Sequence, residues 1–285
     1  MCRRVRRIGR FALVGWEMCA AMGNEHVFVR KIGEGFPIVM LHGFPLDHRS
    51  LLPLERCFSQ HDQWQRYYID LPGLGQSCDG FDIRSAGDVL KALSDYLIEE
   101  FAEADFAIVG YSFGGLLASA LAAQYGDRIR SIFLLAPEVV PDDKARTLPK
   151  KMVYHVSDLP RDAAEPEIAA YEATAVVESA ENFELFKRYI LPGLMGNSEN
   201  EAVRYLADNP ALATTPAECM SQYRRPVTIV VGKNDTMVGY EDAFALYRTL
   251  QEATYVCLPK AGHTLHLDQA ESVQCIFRRW LSDLS

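Results

Sequence analysis

Nowhere in the 285 residues does an apolar run approach the ~18 residues that a membrane-spanning helix requires. Basic residues are not in surplus either. The formal net charge is −9, which argues against nucleic acid or an anionic membrane as a partner. Cysteine is sparse and poorly matched: seven residues at positions 2, 19, 57, 78, 219, 257 and 275, with no C-x-x-C spacing. An odd, scattered set excludes a disulfide framework and a structural zinc site. A reducing cytoplasm is the expected compartment. Internal repeats and low-complexity tracts are absent as well.

What is present is 49% hydrophobic and 24% charged residues, enough apolar matter to fill the core of one large domain. The charge is unevenly spread. Residues 1–22 carry five arginines against Glu17, net +4, which leaves −13 for the remainder. This head has the order of a secretory signal, basic then apolar then small. Its apolar stretch Phe11–Trp16 is only six residues long, short of the roughly 7–15 a signal requires. A translational or cloning extension ahead of Met22 is the better account.

Beyond the head, short β-rich runs alternate with amphipathic helical patterns. "HVFVRKIGEGFPIVMLHG" reads as two strands joined by the turn Gly33-Glu34-Gly35, and "WQRYYIDLPG" as a third. Ser85, with Asp88 three residues on, resembles a capping box. It opens a helix with Val89, Leu90, Leu93, Tyr96, Leu97 and Phe101 on one face. "DFAIVGYS" is apolar throughout and too short for a helix, as expected of a strand buried on both faces. Phe113 to Tyr125 is rich in Ala and Leu and stops at Gly126, where a helix C-cap belongs. "RSIFLLAP" and "PVTIVVGKND" repeat the buried-strand pattern, and the last helix aligns Val273, Ile276, Phe277, Trp280 and Leu281. Alternation of this kind predicts an α/β fold with a mainly parallel, doubly wound sheet. From Glu138 to Arg225 only helical patterns and loops occur, with no convincing strand. The expected organisation is a basic extension (1–22), a core (23–137 and 226–285) and an inserted helical cap (138–225).

The stretch "VGYSFGG" places Ser112 between a buried strand and a helix, with glycines at 110, 114 and 115. A serine on so sharp a turn needs neighbours without bulk two residues away on either side. The turn lifts the hydroxyl above the sheet, and the helix that follows points its positive end at it. The plainer reading is a helix cap. A serine hydroxyl stays protonated at neutral pH, so a nucleophile needs an imidazole as base and a carboxylate to orient it. Asp235 ends the strand "VTIVVGKND", and His263 follows the short strand "TYVCLPKAGH". Both fall on the sheet edge that carries Ser112, where open α/β sheets build their sites. The chain order Ser, Asp, His is that of the hydrolases with a nucleophile elbow. His266 competes for the base, but lacks the preceding glycine and reads as structural. His42 reads as a loop anchor. Glu138 also follows a strand and is the rival acid. For the oxyanion of acyl transfer, the amides of Phe113 and of Phe44 in "HGFP" are the expected donors. Pro45 has no N–H.

At these five places the chain resembles the α/β-hydrolase superfamily, in its serine-nucleophile branch with a helical cap. "VMLHGFPLDHRS", "YYIDLPGLGQS", "IVGYSFGG", "VVGKND" and "AGHTLHLDQAESV" match its oxyanion loop, its D-x-P-G-x-G-x-S turn, its elbow, its acid loop and its histidine loop, in order. The resemblance runs from about residue 26 to 283 apart from the cap. It implies the roles above for Ser112, Asp235, His263 and the two amides. A serine at the elbow departs from the dehalogenase and epoxide-hydrolase branches, which carry aspartate there. "HGFP" departs from the H-G-G-P of proline iminopeptidases, and Thr264 from the tryptophan of many C–C hydrolases.

The expected activity is hydrolysis of an ester-type acyl bond in a small, mainly apolar molecule, without metal or cofactor, by a monomer or homodimer. A lyase or C–C hydrolase using the same triad, and an idle small-molecule binder, are the alternatives. In the cap, "ENFELFKRYILPGLMG" places Phe183, Phe186 and Ile190 on one helix face. With Tyr111 and Met195, Phe183 and Phe186 are the expected pocket residues.

Overall fold

The strands form where apolar, β-branched and aromatic residues run without a helical period. The computed structural model describes residues 26–59 and 63–284; the basic head, residues 1–22, lies outside the described residues. The strands and helices of the first half are β1 (Val29–Ile32), β2 (Phe36–Leu41), β3 (Trp64–Ile69), α1 (Ala86–Phe101), β4 (Phe106–Tyr111), α2 (Phe113–Tyr125) and β5 (Ile129–Leu135). Later come β6 (Tyr154–His155), α3 (Glu165–Thr174), β7 (Val177–Glu178), α4 (Ala180–Tyr189), α5 (Leu191–Gly196), α6 (Glu201–Asp208) and α7 (Pro216–Cys219). The chain ends with β8 (Val227–Gly232), α8 (Glu241–Tyr247), β9 (Ala253–Leu258), α9 (Leu265–Asp268) and α10 (Ala270–Leu284).

One seven-stranded sheet has the order β1-β3-β2-β4-β5-β8-β9. Every neighbouring pair is parallel except β1 with β3. The turn at Gly33–Gly35 therefore does not close a hairpin. It sends β2 past its sequence neighbour to the far side of β3, with Gly33 and Gly35 both at positive φ. The helices cover both faces, and each central strand feeds two cores. Along β4, Phe106 and Ile108 join the core under α1 and α2, while Ala107, Val109 and Tyr111 join the one under α10. This is why such a strand reads as an unbroken apolar run rather than as an alternating one.

Helix α1 starts at Ser85, whose hydroxyl accepts from the Asp88 amide and donates to its carboxylate. Its buried face carries Val89, Leu93, Tyr96, Leu97 and Phe101, with Leu90 half-buried. On α10, Val273, Phe277, Trp280 and Leu281 are buried and Ile276 is partly so. The segment 138–225 departs from a purely helical reading, because β6 and β7 pair in parallel through Tyr154–Val177 and His155–Glu178. Two residues per strand leave no period for a sequence to display. Near the end of this segment Met220 and Tyr223 pack into the core on the α1–α2 face, where the Tyr223 hydroxyl donates to Ile129 O at 2.8 Å.

Candidate active site

The turn between β4 and α2 shows why glycine flanks Ser112. A Cβ on Gly114 would lie 2.2 Å from Leu41 O, and one on Gly110 2.6 Å from Gly114 O. No side chain fits where helix and strand approach so closely. Ser112 itself sits at φ 54, ψ −118, a backbone region that costs a non-glycine residue about 1–3 kcal/mol. Its hydroxyl makes no capping bond to the helix, so the cap reading does not describe it. Instead Ser112 Oγ lies 2.9 Å from His263 Nε2, and His263 Nδ1 lies 2.9 Å from Asp235 Oδ2.

Hydrogen-bond chemistry sets the tautomer. A carboxylate only accepts, so Nδ1 carries the proton and donates to Asp235, which leaves the Nε2 lone pair to accept from the serine hydroxyl. Asp235 is fully buried, and its Oδ1 accepts from the amides of Met237 and Val238 at 2.8 and 3.1 Å. Both oxygens are thus committed, and the carboxylate has one orientation. Both residues follow strand ends: β8 ends three residues before Asp235, and β9 five before His263.

Around this chain of bonds, the loop after β2 lies directly against the serine. A Cβ on Gly43 would lie 2.9 Å from Ser112 Cβ. The Phe113 amide is the first of α2, one of the N–H groups a helix leaves without an internal partner. Among the described residues neither it nor the Phe44 amide donates to a backbone carbonyl. The two phenyl rings meet edge to face at 6.3 Å, and the Phe44–Pro45 bond is cis.

The competing histidines are held elsewhere. His42 donates from Nδ1 to Gly43 O at 2.8 Å and accepts at Nε2 from the Leu71 amide at 2.9 Å, and burial lowers its pKa. His266 donates from Nε2 to Ser50 O at 2.9 Å. Burial pushes its pKa down to about 4, and its Nδ1 has no partner among the described residues. Tyr111 stands between the two loop histidines, its ring centroid 5.2 Å from that of His263 and 5.1 Å from that of His266.

A cavity of about 610 Å³ opens over Ser112. Tyr111, Phe44, Phe113, Phe186, Ile190 and Leu194 line its apolar side. Phe183 and Met195 do not line it. Phe183 turns into the core against Tyr171, at 5.3 Å between rings, and Met195 is 62% exposed. A helix face is wider than one contact, so residues at i and i+3 can face a neighbouring helix and a cavity respectively.

Glu138, the rival acid, lines the same cavity but is not bonded to His263. Its Oε2 is 3.3 Å from Arg146, whose guanidinium also donates to the carbonyls of Val140, Pro141 and Met237. Despite this pairing, burial outweighs the attraction of Arg146 and His263, and the Glu138 pKa is pushed up to about 7. The ordinary value is 4.5, so between the two values the folded chain binds a proton that the unfolded chain releases. Stability from this group is present below about pH 4.5 and is lost as pH rises to about 7. Glu138→Gln should remove that loss, a relative gain of up to about 3 kcal/mol at pH 8 compared with pH 4. Urea unfolding of both proteins at the two pH values checks it; parallel pH dependences would contradict the assignment.

Sheet, elbow and the serine–histidine–aspartate chain together define a hydrolase of the nucleophile-elbow class. The chain matches the alpha/beta hydrolase fold over residues 37–270, and it belongs to that family. It is 25% identical over 268 residues to a pimeloyl-[acyl-carrier protein] methyl ester esterase of Shewanella woodyi, covering 91% of this chain and 99% of that one. A protein of the same name from Neisseria meningitidis serogroup B (strain MC58) is 29% identical over 224 residues, covering 75% and 81%. Among solved structures, an alpha/beta superfamily hydrolase from Oenococcus oeni PSU-1 superposes with TM-score 0.85 at 29% identity, covering 91% of this chain and 96% of that one. A thermophilic esterase from Thermogutta terrifontis superposes with TM-score 0.68 at 20% identity, covering 90% and 93%, a likeness of fold.

Proposed function

We propose that the protein is a serine-dependent carboxylic ester hydrolase that acts on a small, mainly apolar acyl ester through an acyl-enzyme. The observation that carries this reading is the continuous hydrogen-bond chain from Ser112 through His263 to Asp235, opening on an apolar cavity. Ser112 Oγ adds to the ester carbonyl carbon while its proton passes to His263 Nε2. Asp235 stabilises the imidazolium that results. The negative charge on the former carbonyl oxygen is met by the amides of Phe44 and Phe113. Collapse of this intermediate expels the alkoxide, which takes the proton from Nε2. Water then attacks the acyl-enzyme by the same route and releases the acid. The esterase names of the two relatives fit an ester bond as the target.

We read residues 138–225 as a cap whose inner face, through Phe186, Ile190 and Leu194, roofs the acyl site. Free thiols at Cys57, Cys78, Cys219, Cys257 and Cys275 support a reducing, cytoplasmic location. The test is a p-nitrophenyl ester series from two to sixteen carbons. Each added methylene that is buried contributes up to about 0.8 kcal/mol, so kcat/KM should climb several-fold from acetate towards medium chains if the gain persists in the transition state. It should then fall once the chain outgrows the cavity. A flat profile, or the best rate on the longest chain, would contradict an apolar pocket of this size.

A further inference from the structure

Two side chains outside the Ser112–His263–Asp235 hydrogen-bond chain bind the cap to the loops that carry it. Asp268 accepts at Oδ2 from the Gly262 amide at 2.8 Å, and Gly262 immediately precedes His263. Its other oxygen reaches into the cap, accepting from the Val177 amide at 3.3 Å and from Asn182 Nδ2 at 3.4 Å. The Ala261–Gly262 peptide is gripped at its opposite end too, because Ala261 O accepts from the Asn234 amide at 2.9 Å, one residue before Asp235. A single peptide plane is therefore clamped between the acid loop and Asp268. Glycine at 262 lets the cap close on it: a Cβ there would lie 2.5 Å from Val176 Cγ2.

The oxyanion loop is bound in a parallel way. Asn197, buried in the cap just after α5, donates from Nδ2 to Pro45 O, Leu46 O and Gly193 O at 3.0–3.1 Å. Its Oδ1 accepts from the Gly75 amide at 3.0 Å. The Leu46 amide in turn donates to Gly43 O at 2.9 Å, and His42 Nδ1 donates to the same oxygen. That carbonyl belongs to the peptide whose N–H is the Phe44 amide, so holding one end of the plane aims the other.

We propose that the cap is part of the catalytic frame, with Asp268 as the positioning residue for the histidine loop and Asn197 as the positioning residue for the oxyanion loop. This rests on the serine-hydrolase reading. Both loops emerge from strand ends whose own hydrogen bonds stop several residues earlier, so the loops need an outside reference. The cap supplies it on both sides of Ser112. A carboxylate suits the histidine side because only acceptors can meet the amides of Gly262 and Val177. A primary amide suits the oxyanion side because it must donate to carbonyls and accept from an amide at once. Burial, with the charge of Asp235 nearby, pushes the Asp268 pKa up to about 6. Tyr111 of the core and Tyr171 of the cap also sense its charge.

Asp268→Asn turns one acceptor into a donor facing an N–H, and Asn197→Ala removes the donors to the oxyanion loop. Misplacement of a reacting group by about 1 Å can cost ~100-fold, so each variant should lower kcat by roughly 10- to 100-fold with little change in KM. Their signatures should differ. The parent's log kcat/KM should bend near pH 6, where Asp268 takes a proton, and Asp268→Asn should lack that bend. Asn197→Ala should keep the parent's pH profile and instead weaken binding of an alkyl boronic acid, a mimic of the tetrahedral intermediate, in proportion to the loss in kcat. If both variants keep the parent's circular dichroism and also its kcat, pH profile and boronate affinity, the contacts serve stability alone and the proposal is overturned. Should Asp268→Asn not fold, Asn197→Ala decides by the boronate comparison. A fluorophosphonate probe keeps the two readings apart: failure to label Ser112 in the parent overturns the hydrolase assignment, whereas labelling at the parental rate in both variants overturns only this one.

Discussion

Replacing Ser112 with alanine should lower ester turnover by about 10⁴- to 10⁶-fold, because members of a triad act as a unit and loss of the nucleophile removes the covalent route. The fold should be unaffected. The hydroxyl makes no capping bond, and alanine suffers at φ 54 the same strain as serine. Ser112→Gly offers a sharper version of the test. It should be equally inactive yet more stable than the parent, since glycine adopts this backbone region freely and about 1–3 kcal/mol of strain is relieved, less the entropic cost of glycine in the unfolded chain. Turnover of a p-nitrophenyl ester and thermal unfolding of the three proteins give both numbers. An alanine variant with parental turnover would end the assignment of Ser112 as nucleophile.

Asp235→Asn should cost about 10⁴-fold in kcat, the effect expected when the carboxylate that sets the imidazole tautomer becomes an amide. The surroundings dictate how. Asp235 Oδ1 accepts two backbone amides, from Met237 and Val238, so the asparagine oxygen must stay on that side. Its NH2 then faces His263 Nδ1 and donates to it. The ring must carry its proton on Nε2, which can no longer accept from Ser112. Glu138→Gln, in contrast, should change kcat little, because Glu138 is paired with Arg146 and makes no hydrogen bond to His263. Steady-state kinetics of the two variants settle the choice. A larger loss in Glu138→Gln than in Asp235→Asn would reassign the acid.

The elbow was legible because its cause is local. Gly110 is required by contacts with Gly114 and Gly115 within one strand–turn–helix unit, which sequence spacing displays, although Gly114 itself answers to Leu41 on the neighbouring strand. The buried strands were legible for a related reason: burial on both faces leaves an unbroken apolar run. The pairing of β1 with β3 rather than with β2 was not, since a positive-φ turn permits a hairpin and a crossing equally and the choice is made by distant edges. Phe183 and Phe186 share a helix face and both pack on Tyr171, yet of the two Phe186 alone also reaches the cavity. Helical period assigns a face but not what lies opposite each residue on it.

Residue types and chain order alone thus determined the fold class, the nucleophile turn and the short set of candidates for base and acid, because each depends on steric or acid–base demands expressed within a few residues. Tertiary structure alone decided among those candidates. Asp235 and Glu138 both follow a strand, and only the direction in which His263 turns its Nδ1 separates them. The same holds for Asp268, at the end of α9, and Asn197, just after α5, single polar residues whose partners no helical period marks. Their significance lies in hydrogen bonds to residues 6 and 91 positions away for Asp268, and 151 and 152 for Asn197. A hydrogen bond depends on positions and angles in space, and those exist only once the sheet, its loops and residues 138–225 have been brought together.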